Sequence, residues 1–295
     1  MINNIFKYFK LLLSAYFIYF VFNFIKENYF DLKLFFSNNI FLITLIIVLK
    51  FLIIFSNSLI FMKIVNLTNI KITFLSAFEL TLLNYIGNFV GPFKLGTGLK
   101  IQNLSKNYNL DLKYFLVKNV SFTIYNFLIY ILIFLFSLYK ESIINLSLLI
   151  FSAVITIIIL ILLSLKKIFK KNNFFLISDF ISDWLFLFLI LFLFLIGSTI
   201  VFIEANIISK DTFTFIKSIF IFQGISFTNL VNITPANLGI RELALLGIGF
   251  LHSLNLKDLL NIGLIDRFCG IFATIILFIF FNLRKLILLI NNKTN

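Results

Sequence analysis

The chain has only three arginines, and two of them stand beside an acidic residue in otherwise apolar sequence. Arg241 precedes Glu242, and Arg267 follows Asp266. A guanidinium group presents a rigid fork of N–H donors that matches phosphate or carboxylate oxygens. Adjacent residues on a helix do not face one another, so neither neighbouring acid is the natural partner. Two interpretations stay open: binding of another anion, or structural pairing, of Arg241 with Glu242 or Glu79 and of Arg267 with Asp266.

The only two prolines open related phrases, PFKLG from Pro92 and PANLG from Pro235. Proline lacks an amide hydrogen and clashes with the preceding helical turn, so each phrase should break an apolar helix. The motif LDLK at 110–113 recurs as LNLK at 254–257, at nearly the same distance from its proline. We predict an internal repeat, with a first copy at about 72–138 and a second at about 213–283.

The composition predicts a membrane protein. Hydrophobic residues make up 61% of the 295 positions, charged residues only 13%, and the mean hydropathy is +1.09. A helix needs about 20 apolar residues to cross a bilayer. We predict an all-α integral membrane fold of about eight transmembrane helices, forming one multi-pass domain over 1–295 in the cell membrane. The lysine-rich loops at 94–113 and 166–171 and the lysines near the two termini favour opposite orientations in the membrane. The orientation therefore stays open. The predicted spans are near 8–25, 40–62, 72–90, 115–138, 143–165, 181–203, 213–233 and 260–283.

The apolar stretches after the two prolines are too short to cross. They run from Leu95 to Leu104 and from Leu243 to about Leu254. Non-helical backbone is tolerated at membrane depth only inside protein or along a watery cavity. We therefore predict two re-entrant segments and a cavity between the halves. Gly239 should be required for its backbone, whereas Gly197, in a continuous span, should tolerate alanine.

Polar side chains recur at helical spacing before each break. This pattern indicates either cavity lining or hydrogen bonds between helices. An intramembrane Glu79 facing lipid would be costly, so it is included with the cavity candidates. The candidates are Glu79, Asn84 and Asn88 in the first half and Gln223, Asn229 and Asn232 in the second.

The sequence carries no recognised catalytic signature. It lacks a nucleotide-binding loop, a nucleophile elbow and a zinc-protease motif, and its single histidine and single cysteine have no companions at metal-ligand spacing. We therefore predict no enzyme activity, no cofactor and no metal. The net charge of +13 does not indicate a nucleic-acid partner, because no basic soluble face is present.

These motifs resemble a known family. The phrase from Pro235 through Gly239, Arg241 and Glu242, followed by Arg267, is similar to the flippase-like membrane domain of the lysylphosphatidylglycerol synthase transmembrane-region family. The first-half phrase matches the family's other landmark through Pro92, Lys94, Gly96 and Lys100, with lysine where arginine is common and Thr97 where an acid is common. The resemblance spans about 10–290 and implies a bare membrane domain without a soluble enzyme.

The resemblance implies handling of anionic or glycosylated membrane lipids. Helix N-termini attract anions through unsatisfied N–H groups. The candidate anion-binding residues are Lys94, Gly96, Lys100, Gly239, Arg241, Glu242 and Arg267. We expect a protein that translocates or presents a lipid. The alternatives are a non-catalytic subunit for a separately encoded glycosyltransferase or lipid-modifying enzyme, and a membrane transferase that uses Glu79, Glu242 or Asp266.

Overall fold

The computed structural model contains helices joined by turns and loops, and no strand, in the residues that it describes. These are 29–68, 70–90, 94–165, 178–208, 213–231, 240–252 and 254–291, together with positions 19 and 26. A kink at Asn39 divides the first helix. In chain order the helices are α1 (Tyr29–Asn66), α2 (Phe74–Val90), α3 (Leu95–Tyr108), α4 (Leu112–Lys140), α5 (Leu146–Leu165), α6 (Ser178–Ile181), α7 (Trp184–Ile208), α8 (Phe215–Val231), α9 (Ile240–His252) and α10 (Leu256–Asn291).

Four of the described helices are long and apolar enough to cross a membrane. They are Asn39–Asn66 within α1, Leu112–Lys140, Trp184–Ile208 and Leu256–Arg284 within α10. Large apolar side chains on these helices point outward, where lipid would cover them; Phe280 is 71% exposed. The fold is therefore that of an all-α membrane protein.

The finer prediction of eight crossings goes further than these helices do. Helices α2 and α8 have 17 residues each, fewer than the roughly 20 that a perpendicular crossing needs. The predicted span near 8–25 lies outside the described residues. Eight crossings and re-entrant segments therefore stay predictions.

Helices are described on both sides of each proline phrase. Helix α2 extends to Val90 and α3 begins at Leu95, after Lys94 with a φ of 56°, while α8 is described as far as Val231 and α9 from Ile240. Pro92, Pro235 and Gly239 themselves lie outside the described residues. Both short helices that follow, of 14 and 13 residues, precede a long helix. The two halves thus share an order of elements, and the repeat boundaries stay a prediction.

Helix α1 lies at the centre of the packing. It contacts α2, α4, α7 and α10, and the two halves meet where α2 packs on α10 and α8 packs on α4. Each short helix packs against the helix before it, α3 on α2 and α9 on α8. The two short helices, α3 and α9, therefore pack against the bundle next to the contact between the halves.

A close helix approach fixes the first broken segment. A Cβ atom at Gly87 would lie 2.4 Å from the Gly96 Cα, and one at Gly96 would lie 2.0 Å from the Asn84 carbonyl oxygen. Side chains at either position would separate α2 from α3. Glycine at 96 is thus required by backbone contact, which is a different role from the anion binding that the sequence predicted.

Candidate functional site

A cavity of about 540 Å³, lined by both polar and apolar side chains, lies between the halves. The residues that line it come from α1, α2, α3, α4, α7, α8, α9 and α10, so both short helices contribute to it. The cavity that the sequence predicted is therefore present. Its charged lining among the described residues consists of five basic side chains and one acidic side chain: Lys50, Lys94, Lys100, Arg241, Arg267 and Asp266.

Asp266 is the centre of an ion-pair network. Its two carboxylate oxygens accept hydrogen bonds from the Lys50 ammonium on α1 and the Arg241 guanidinium on α9. The Asp266 side chain is 11% exposed and that of Arg241 is 9% exposed. Two cations therefore share one carboxylate, which leaves one unit of positive charge within this group.

A second ion pair joins α9 to α10. Arg267 on α10 binds Glu242 on α9 through its two terminal guanidinium nitrogens, with Nη2 donating to Oε2 at 3.1 Å and Nη1 facing Oε1. The arginines thus pair crosswise between α9 and α10, and neither pairs with its neighbour in sequence. Among the proposed structural partners, Glu79 and Glu242 are not the acceptors for Arg241; Asp266 is.

Two asparagines of α2 accept hydrogen bonds from polar groups in the first turn of α3. The Asn88 Oδ1 accepts from the Gly96 backbone N–H at 3.1 Å, and the Asn84 Oδ1 accepts from the Thr97 hydroxyl at 2.9 Å. The two asparagines are themselves joined, with Asn88 Nδ2 donating to Asn84 Oδ1 at 3.4 Å. The Gly96 amide is therefore engaged within the protein, and the asparagines position α3 while they line the cavity.

Two lysines of the first broken segment face the cavity. Lys94 precedes α3 in the left-handed conformation, with a φ of 56°. The Lys100 ammonium lies over the Phe61 ring, 3.7 Å from its centroid, which is a cation–π contact. Burial lowers the pKa of Lys100 to about 7. Its charge in the cavity therefore responds to pH near neutrality.

The structure assembles part of the predicted set in this cavity. Among the predicted residues, Glu79, Gln223, Gly96 and Glu242 lie outside the lining; Gln223 is buried and donates from Nε2 to the Tyr130 carbonyl at 3.1 Å, which joins α8 to α4. The Asn229 side chain, Asn232 and Gly239 lie outside the described residues. The predicted residues that do line the cavity are Asn84, Asn88, Lys94, Lys100, Arg241 and Arg267.

Several polar lining residues were missed by the sequence analysis. Lys50 is a charged residue inside an apolar run, a signal that identifies intramembrane sites. Asn119, Thr123 and Asn126 on α4 recur at spacings of four and three residues and therefore share one helix face. Both signals are visible in the sequence.

Comparison of the chain with protein-family models, with curated proteins and with solved structures finds no match. The cavity and its charges are therefore the features that indicate a function.

Proposed function

We propose that this protein binds the anionic or glycosylated headgroup of a membrane lipid in the cavity and translocates or presents that lipid while its tails remain in the bilayer. The supporting observation is the lining charge, five basic side chains against one acidic side chain. A surplus of positive charge among membrane helices is costly unless an anion balances it. A lipid phosphate is the anion that a membrane supplies directly to such a site.

The donors in the cavity suit a phosphorylated headgroup. Arg241 offers a planar fork, whereas Lys94 and Lys100 are point charges on flexible stems that adjust to a phosphate in more than one position. Asparagine and threonine side chains on α2 and α4 can exchange hydrogen bonds with sugar or glycerol hydroxyls. The apolar outer surface of the helices leaves the acyl tails in lipid.

Binding accounts for the lining better than membrane-embedded catalysis does. The three carboxylates considered for catalysis are Glu79, Glu242 and Asp266. Glu79 lies outside the cavity lining, Glu242 pairs with Arg267, and Asp266 accepts from two cations. A carboxylate held in this way is a poor general base, because its cationic partners stabilise the ionised form.

Lys100→Gln tests the proposal against a control on the same helix. The detergent-purified chain is mixed with phosphatidylglycerol or with zwitterionic phosphatidylcholine, and bound lipid is counted by native mass spectrometry. Lys106→Gln removes the same charge from an exposed position on α3. We expect Lys100→Gln to weaken phosphatidylglycerol binding about tenfold or more, since a charge-assisted hydrogen bond contributes about 1.5–3 kcal/mol.

The Lys106→Gln control and the zwitterionic lipid distinguish binding in the cavity from a general effect of surface charge. Lys106→Gln should bind phosphatidylglycerol as the unmodified chain does, and phosphatidylcholine, whose choline cation offsets its phosphate charge, should bind the unmodified chain more weakly than phosphatidylglycerol does. Equal loss in both lysine variants would indicate a general surface-charge effect. No preference for phosphatidylglycerol over phosphatidylcholine in the unmodified chain would refute the proposed function.

A further inference from the structure

Glu204 on α7 is a buried acid that the network around Asp266 does not use. Its side chain has 0% exposure, and neither carboxyl oxygen has a hydrogen-bond partner among the described residues. An ionised carboxylate without donors is far costlier to bury than a neutral acid. Glu204 can therefore be ionised in this arrangement only while nearby positive charge balances it, and otherwise it carries a proton. Unsatisfied buried groups are rare in folded proteins and call for a functional explanation.

The charged surroundings of Glu204 come from three other helices. It interacts electrostatically with Lys50 on α1, Arg241 on α9 and Asp266 on α10. The Cys269 thiol on α10 is also close enough to interact with it electrostatically. Helix α8, which packs on α7, carries Lys217 as its one titratable residue, and Lys217 does not enter this interaction. Glu204 thus adjoins the ion-pair network without lining the cavity.

The charges of this group do not balance while Glu204 is neutral. Lys50 and Arg241 are two cations, and Asp266 is one carboxylate, so one positive charge remains. A phosphate in the cavity would neutralise that charge. With the cavity free of an anion, ionisation of Glu204 would neutralise it instead. The anion and the Glu204 carboxylate therefore compete for the same positive charge.

We propose that Glu204 is a proton-binding site coupled to the anion site, so that binding of an anionic headgroup beside Lys50 and Arg241 is accompanied by uptake of one proton at Glu204. This inference rests on the proposed function. The carboxylate takes a proton from water and becomes a carboxylic acid, and no other bond changes. Release of the headgroup returns the proton. A proton gradient across the membrane would then drive movement of the lipid in the same direction as the proton.

Coupling is reciprocal, so it can be measured from either side. If anion binding takes up a proton, then lowering the pH must tighten anion binding, by up to about tenfold per pH unit for one linked proton. Lys100 adds its own pH dependence to the unmodified chain and to any Glu204 variant alike. The contribution of Glu204 is therefore the difference between the two.

The experiment is isothermal calorimetry of phosphatidylglycerol binding to the detergent-purified full chain. Titrations in buffers of different ionisation enthalpy give the number of protons taken up, across about pH 5 to 9, where buried carboxyl groups of proteins titrate. Glu204→Gln mimics the protonated acid and should fold. Glu79→Gln, on α2 and outside the cavity lining, is the control for removal of a carboxyl group.

We expect the unmodified chain and Glu79→Gln to take up more protons per bound lipid than Glu204→Gln does, by up to one. Binding without proton uptake in the unmodified chain would overturn the coupling, and so would equal uptake by Glu204→Gln; either result leaves the anion site intact. Absence of phosphatidylglycerol binding in the unmodified chain would overturn both the coupling and the proposed function. If Glu204→Gln does not fold, Lys100→Arg removes the other titrating group and keeps its charge; that variant should still take up protons on binding phosphatidylglycerol, and binding without uptake would overturn the coupling.

Discussion

Gly96→Ala should destabilise the protein by separating α3 from α2. The added Cβ would lie 2.0 Å from the Asn84 carbonyl oxygen, whereas the closest ordinary contacts between carbon and carbonyl oxygen are about 3.3 Å. Both partners are helix backbone, so a side-chain rotation cannot relieve the clash and the helices must move apart. Overpacking of this kind costs about 1–3 kcal/mol.

The movement would also weaken a hydrogen bond. The Gly96 N–H donates to the Asn88 Oδ1 at 3.1 Å, and loss of such a bond costs about 0.5–1.5 kcal/mol. The free energy of unfolding should therefore fall by about 1.5–4.5 kcal/mol in total, by addition of these two effects. Displacement of α3 would also shift Lys100, so retention of phosphatidylglycerol should decrease with stability.

Gly98 provides a matched control two residues later. A Cβ at Gly98 would meet no atom within 4 Å, and alanine favours a helix over glycine by about 1 kcal/mol. Gly98→Ala should therefore leave stability unchanged or raise it slightly. Titration with sodium dodecyl sulfate in mixed micelles measures both free energies of unfolding. Equal stability of the two alanine variants would refute the close approach of α2 and α3.

Two further predictions concern charges in the cavity. Asp266→Asn leaves Lys50 without its carboxylate acceptor in a buried site and should cost about 3–5 kcal/mol of stability. Glu242→Gln should cost less, because the Glu242 side chain is 28% exposed. Thermal unfolding in detergent measures both losses, and equal losses would contradict the prediction. Burial lowers the pKa of Lys100 to about 7, so its ammonium is charged below that value and neutral above it. Phosphatidylglycerol retention, counted by native mass spectrometry, should therefore fall as the pH rises through about 7, and less so in Lys100→Arg; retention that rises over this range would contradict the assignment.

The helix interruption at the first proline phrase could be predicted because proline acts through local backbone chemistry. Helix α2 extends to Val90, and Lys94 has a left-handed φ of 56° just before α3 begins at Leu95. The crossing helices were predictable for a similar reason, since length and apolar composition decide whether a helix can span a bilayer. Proline positions and apolar length do not determine how the two halves of the chain pack against one another.

The partners of the arginines could be predicted only in part. Helical geometry excluded the sequence neighbours, and the structure agrees, because Arg241 pairs with Asp266 and Arg267 with Glu242. Which distant acid is chosen depends on the packing of α9 against α10, and periodicity carries no information about that contact. Glu79 was a reasonable alternative on cost alone, and the packing places Asp266 beside Arg241 instead.

The expected tolerance of Gly197 to alanine is wrong for the same kind of reason. A Cβ at Gly197 would lie 2.0 Å from the Phe222 ring on α8. That ring also packs against Tyr130 and Phe194, with centroid distances of 6.4 and 5.7 Å, so it has little room to move. A continuous apolar helix does not reveal which of its glycines receives an aromatic ring from a neighbour.

The balance of charge separates a binding site from a purely structural network. Arginines that served only to neutralise membrane-embedded acids would be matched by them in number, because an unbalanced charge among membrane helices is costly. The cavity lining instead carries five basic side chains against one acidic side chain. The Arg267–Glu242 pair removes one of the excess charges, while Lys50 and Arg241 share the single carboxylate of Asp266 and the Lys100 ammonium contacts an aromatic ring. A surplus therefore remains on side chains that face an open volume. Such a surplus is stable where a mobile anion balances it, so the charge of the whole cavity, rather than either arginine alone, supports the proposed anion site.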